Sequence, residues 1–123
     1  MTLRPITYRI ACRYGTERVT GWAIQLPAPF TGLRFCVRRA TPRAWCIDHY
    51  DSGMAVTGPQ LIVCASYTAR QLAEARRLAC DHTSRRACAA WLVRWLKHTH
   101  RGGRLRETLV QHGYGWCADE AGL

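Results

Sequence analysis

Between residues 6 and 50 apolar side chains recur at every second position, and from residue 68 onward they recur at every third or fourth. The first period places one face of a strand against a core, and the second does the same for a helix. ITYRIAC (6–12) sets Ile6, Tyr8, Ile10 and Cys12 against Thr7, Arg9 and Ala11. VTGWAIQL (19–26) puts Trp22, Ile24 and Leu26 on one side, and LRFCVRR (33–39) opposes Leu33, Phe35 and Val37 to Arg34, Cys36 and Arg38. RAWCIDHY (43–50) brings Trp45 and Ile47 together. Turn-forming stretches YGTE, LPAPFTG, ATPR and DSG separate these runs. QLIVCAS (60–66) is almost continuously apolar, as a central or fully covered strand would be.

Thr68 and Gln71 make a capping box ahead of a helix over TARQLAEARRLAC. After DHTS, Thr83 or Ser84 caps a second helix that runs to about residue 100, with Cys88, Trp91, Leu92 and Trp95 as its core stripe. Gly102-Gly103 stops it, and RLRETLVQHG forms a short third helix. Strands followed by helices predict an α+β fold: an antiparallel β-sheet in the N-terminal half with two to three C-terminal helices packed on one face. The length suits a single domain over residues 1–123, mainly strands over 1–66 and mainly helices over 67–113, with a tail (114–123) that the pattern does not assign.

Seventeen of the eighteen basic residues are arginine, and the formal net charge is +10. Guanidinium binds phosphate and carboxylate through a planar fork. GC-rich codon usage also favours arginine over lysine, but it does not account for only eight acidic residues. The positive charge concentrates in residues 1–45 and 67–106. Arg9, Arg34 and Arg38 point away from the apolar side of the strands. Arg85, Arg86, Arg94 and Lys97 lie off the Trp91/Trp95 stripe or at its margin, and Arg101, Arg104 and Arg106 follow it. These ten residues are the candidate surface for nucleic acid or an acidic partner.

Other chemistry finds little support. The cysteines are odd in number (Cys12, Cys36, Cys46, Cys64, Cys80, Cys88, Cys117) and lack a C-x-x-C pair, which fits reduced, buried thiols in a reducing cytosol. Cys80, His82, Cys88, His98 and His100 carry ligand atoms, but His98 and His100 diverge on a helix and Cys88 belongs to the core stripe, so no metal or other cofactor is expected. Cys46, Asp48 and His49 are neighbours in sequence, yet in a strand His49 faces away from the other two. No catalytic residue and no enzymatic activity are expected. The helix, Gly-Gly break and Arg-bearing short helix match a helix-turn-helix in outline only. Tyr8, Trp22 and Trp45 share faces with aliphatics and read as core. MTLRPITYRIACRYG is broken by charges and is no secretory signal, and no apolar run reaches the roughly 20 residues of a membrane span.

RAWCIDHYDSGMAV, a polar-bounded strand and TARQLAEARRLA together resemble small accessory proteins encoded by phages and plasmids of GC-rich bacteria. There a Trp-containing strand and an S/T-G hairpin turn precede a Thr-capped helix rich in Ala, Glu and Arg. The resemblance covers residues 43–80. It implies a mobile-element origin and a non-enzymatic role, and it carries over no functional residue. The expectation is therefore a small cytoplasmic binding protein of a bacterial host cell. Its partner would be nucleic acid, or an acidic protein or ribonucleoprotein complex. The alternative is an anti-CRISPR-like inhibitor of a host defence machine that acts by protein contact.

Overall fold

The computed structural model describes residues 2–12, 15–41, 44–54, 56, 84–111 and 113–123. The strand expected at 60–66 and the helix expected from Thr68 to Cys80 lie outside them. Among the described residues four strands form one antiparallel sheet in sequence order: β1 (Leu3–Cys12), β2 (Gly15–Ile24), β3 (Phe35–Thr41) and β4 (Ala44–His49). Among the described residues three helices follow: α1 (Arg85–Arg101), α2 (Arg104–Gln111) and α3 (Gly115–Glu120). This is the α+β arrangement that the change of period implies. The tail that the pattern left unassigned supplies α3. Among the described residues no helix is long and apolar enough to cross a membrane.

The sheet buries both faces. Cross-strand partners share a face, so the registers Trp22↔Val37, Val37↔Ile47 and Phe35↔His49 place these residues on one side. The helices pack there. Cys88, Trp91, Leu92, Trp95 and Leu96 of α1, Leu105 and Leu109 of α2, and Cys117 of α3 join Ile24, Phe35, Val37, Trp45 and Ile47 in one core. Leu26, Phe30 and Leu33, from the β2–β3 connection, complete it. The buried Thr99 hydroxyl is satisfied by donating to the Trp95 carbonyl at 2.8 Å.

On the opposite face Tyr8, Ile10 and Cys36 form a second cluster, flanked by Ile6, Val19, Ala23 and Tyr50. The sheet thus carries apolar clusters on both faces. The apolar set of β1 turns to the side that carries Arg38, because the register pairs Tyr8 with Val19 and Arg38 with Cys46. The turn after β4 then reaches the free edge of β1, where the Ala11 N–H donates to the Gly53 carbonyl at 2.9 Å. Gly53 adopts φ +69°, and a Cβ there would lie 2.7 Å from the Ala11 nitrogen. Both the backbone conformation and the close approach require glycine.

Candidate functional site

α1 starts at Ser84, whose Oγ accepts from the Ala87 N–H at 3.0 Å, and ends at Gly102, followed by Gly103 at φ +72°. Its buried residues, Cys88 to Thr99, occupy one arc. Arg86, Arg94, Lys97 and Arg101 are exposed and fall within an arc of about 80° on the opposite side, at 100° per residue. They run along about 22 Å of helix. No Asp or Glu occurs between residues 84 and 106, so the row has no acidic neighbour on its own helix. Among the described residues none of the four has an ion-pair partner. A helix N-terminus carries partial positive charge, so Arg85 and Arg86 in the first turn oppose the helix dipole. Arg85 is offset by lying over the Trp22 ring, 4.4 Å from its centroid.

The other expected site residues separate into different roles. Arg9 is exposed, and it donates to Thr16 Oγ1 at 3.4 Å. Arg34 forms a two-point ion pair with Asp51, with Nε 3.3 Å from Oδ2, and this raises its pKa. Arg38 is largely buried. Its Nε donates to Asp48 Oδ2 at 2.7 Å, and the Tyr8 hydroxyl donates to the same oxygen at 2.7 Å. Burial foremost, then the Asp48 carboxylate, push the Tyr8 pKa far up. Arg38 thus neutralises a buried acid and is withdrawn from the solvent surface. Arg106 pairs with Asp119 at 2.6 Å and donates to the Leu123 carbonyl. Arg104 is half-buried and engaged. With Arg106 tied down, α2 is poorly suited to be a groove-reading helix. Trp45, Trp91 and Trp95 are buried as expected, while Trp22 is half-buried and edge-on to Trp45, with centroids 5.6 Å apart.

The fold also assembles a group of residues that sequence spacing does not reveal. His49, at the end of β4, lies between the rings of Phe35 (5.2 Å) and Tyr114 (5.1 Å) and is wholly buried. Its Nδ1 faces Ser52 Oγ at 2.9 Å. Its Nε2 points toward Asp51, with Oδ2 at 4.0 Å, and among the described residues has no hydrogen-bond partner. Cys117 of α3 closes the group, and the three potential ligand atoms lie within 4.8 Å of one another. Burial pushes the His49 imidazole down to about 4 and the Cys117 thiol up to about 11. The same burial disfavours the thiolate form that a cysteine nucleophile needs. Cys46 and Asp48 lie on the other face of the sheet from His49, as strand alternation requires. Of the residues first considered as ligands, Cys88 is in the core and His98 and His100 are exposed. Cys80 and His82 lie outside the described residues.

Comparison of the chain with known protein families, with curated proteins and with solved structures finds no match in any of the three.

Proposed function

We propose that the protein is a non-enzymatic binder of a polyanion, with nucleic acid as the leading target, acting through the outer face of α1. The observation that carries this reading is the row of Arg86, Arg94, Lys97 and Arg101, solvent-facing and opposite the core stripe. Cations spaced along a rigid helix suit the phosphate backbone, which supplies most of the affinity in sequence-independent binding. Arg9 and Arg18, exposed on the β1–β2 hairpin, add to the positive field. The resemblance over residues 43–80 suggests an accessory protein of a mobile element, which accords with a binding role.

A second reading has its own support. Beside the row lies a shallow groove of about 550 Å³, lined by Thr2, Gln25, Leu26, Pro27, Ala90, Val93 and Arg94. Apolar area next to cations suits an acidic protein surface, as an inhibitor of a host defence complex would need. Capture from bacterial lysate with and without nuclease separates the two. Co-purified nucleic acid, or a partner lost on nuclease treatment, supports direct binding. A partner retained after nuclease supports the inhibitor reading.

A further inference from the structure

We propose that His49, Asp51 and Cys117 form a zinc site joining the end of β4 to α3. Each belongs to a different piece of the fold: the last residue of β4, the turn that follows it, and the C-terminal helix. Thiolate, imidazole and carboxylate together are zinc's ligand set, and a thiolate argues against magnesium or calcium. Around a tetrahedral zinc ion such ligands stand about 3.3–3.8 Å apart, given bonds of 2.0–2.3 Å. The separations within 4.8 Å, and 4.0 Å between His49 Nε2 and Asp51 Oδ2, need closing by up to about 1.5 Å.

The second observation is the state of His49. A fully buried ring nitrogen with no hydrogen-bond partner among the described residues is costly, and this one is aimed at Asp51. Ser52 Oγ, held by the Met54 N–H at 3.1 Å, stands 2.9 Å from the other ring nitrogen, Nδ1, which also accepts the Ser52 N–H at 3.3 Å. A zinc-bound ring gives up that acceptance and donates Nδ1–H to the Ser52 hydroxyl. Arg34 grips Asp51 from the solvent side and fixes its carboxylate. Zinc on Nε2 places the ring proton on Nδ1 and converts the buried orphan into a ligand. The Asp51 side chain is 11 % exposed, so solvent reaches the edge of the group. Zinc here runs against the expectation of no metal, which was drawn from residues 80–100 and not from a histidine and a cysteine 68 positions apart.

Full-length protein stripped with chelator and titrated with zinc by calorimetry tests the site, with cobalt as a spectroscopic substitute. One zinc per chain is expected, with a rise in melting temperature and a thiolate-to-cobalt charge-transfer band. Cys117→Ser should abolish that band and weaken zinc by more than about 100-fold, beyond the range of outer-shell losses. Asp51→Asn, at a partly exposed position, should weaken zinc at least about tenfold and is the deciding variant if Cys117→Ser fails to fold. His98→Ala with His100→Ala should leave binding unchanged. Zinc affinity unaltered in Asp51→Asn or in a folded Cys117→Ser overturns the proposal, as does loss of binding in the His98/His100 variant alone.

Discussion

Arg38 and His49 differ most from their surface appearance in the sequence. Arg38 reads as an outward cation on an alternating strand. In the fold it lies beside Asp48, which is 1 % exposed, and shares that carboxylate with the Tyr8 hydroxyl. Removing one partner of a buried pair leaves an uncompensated charge, so Arg38→Ala should destabilise the protein by about 3–5 kcal/mol. Thermal or urea unfolding measures this. A variant that keeps its stability and loses only partner binding would return Arg38 to the surface set. The sequence did hold a signal: an aspartate between Ile47 and His49 in a buried strand needs a cation. It did not say which arginine, because the partner follows from strand register. His49 gives a pH prediction for the metal-free protein. Burial holds its folded pKa near 4, while Asp51 and Arg34 oppose each other and Cys117 stays neutral. The unfolded chain titrates near 6.5, so it binds the extra proton between pH 6.5 and 4. Stability is therefore fully present above pH 6.5 and falls as the pH drops to 4, by about 3 kcal/mol at about 1.4 kcal/mol per pKa unit. Chemical denaturation across that window checks it. A flat profile that His49→Gln leaves unchanged would contradict it.

At the level of elements, α1 was the most legible part of the chain. Its cap, core stripe and glycine stop all lie in local sequence, and Arg85–Arg101 follows from them to within a residue. Trp91→Ala should cost about 3–5 kcal/mol, since the side chain is 6 % exposed in the main core. Ser84→Ala should cost about 1 kcal/mol through the lost cap to Ala87. Both are read from unfolding midpoints. If Trp91→Ala keeps its stability but loses binding, the stripe is an interface. The strands were legible as strands, but their facing was not. Alternation states that a strand has two sides, and it does not state which side meets the helices. β1 therefore turned its apolar set to the opposite face from β3. α3 was hidden because GWCADE buries only Cys117 and Ala118 and leaves Trp116 exposed, too short a run for a helical period to register.

For the molecule as a whole, composition located a strong positive field but not the arginines free to use it. Arg34, Arg38 and Arg106 pair with Asp51, Asp48 and Asp119, and of the three only Arg38 is largely buried. The row on α1 has no acid on its own helix, a property of the sequence that needed only the helix to be recognised. The His49–Asp51–Cys117 group was beyond sequence reasoning, since its members meet only when α3 docks at the end of β4.

The central claim is that α1's outer face binds a polyanion, and the salt dependence of binding tests it most directly. Labelled duplex DNA and single-stranded RNA, followed by fluorescence anisotropy from 50 to 200 mM salt, give the slope of log K against log salt. Each duplex phosphate neutralised contributes about −0.9. Four contacts imply a loss of about a hundredfold in affinity over that range. Replacing Arg94, Lys97 and Arg101 together with glutamine should reduce the slope by up to about three and leave the melting temperature unchanged, because all three are exposed. Arg9→Gln with Arg18→Gln should change it less. Failure of both DNA and RNA to bind at 50 mM salt, or a slope indifferent to the α1 variant, would contradict the claim.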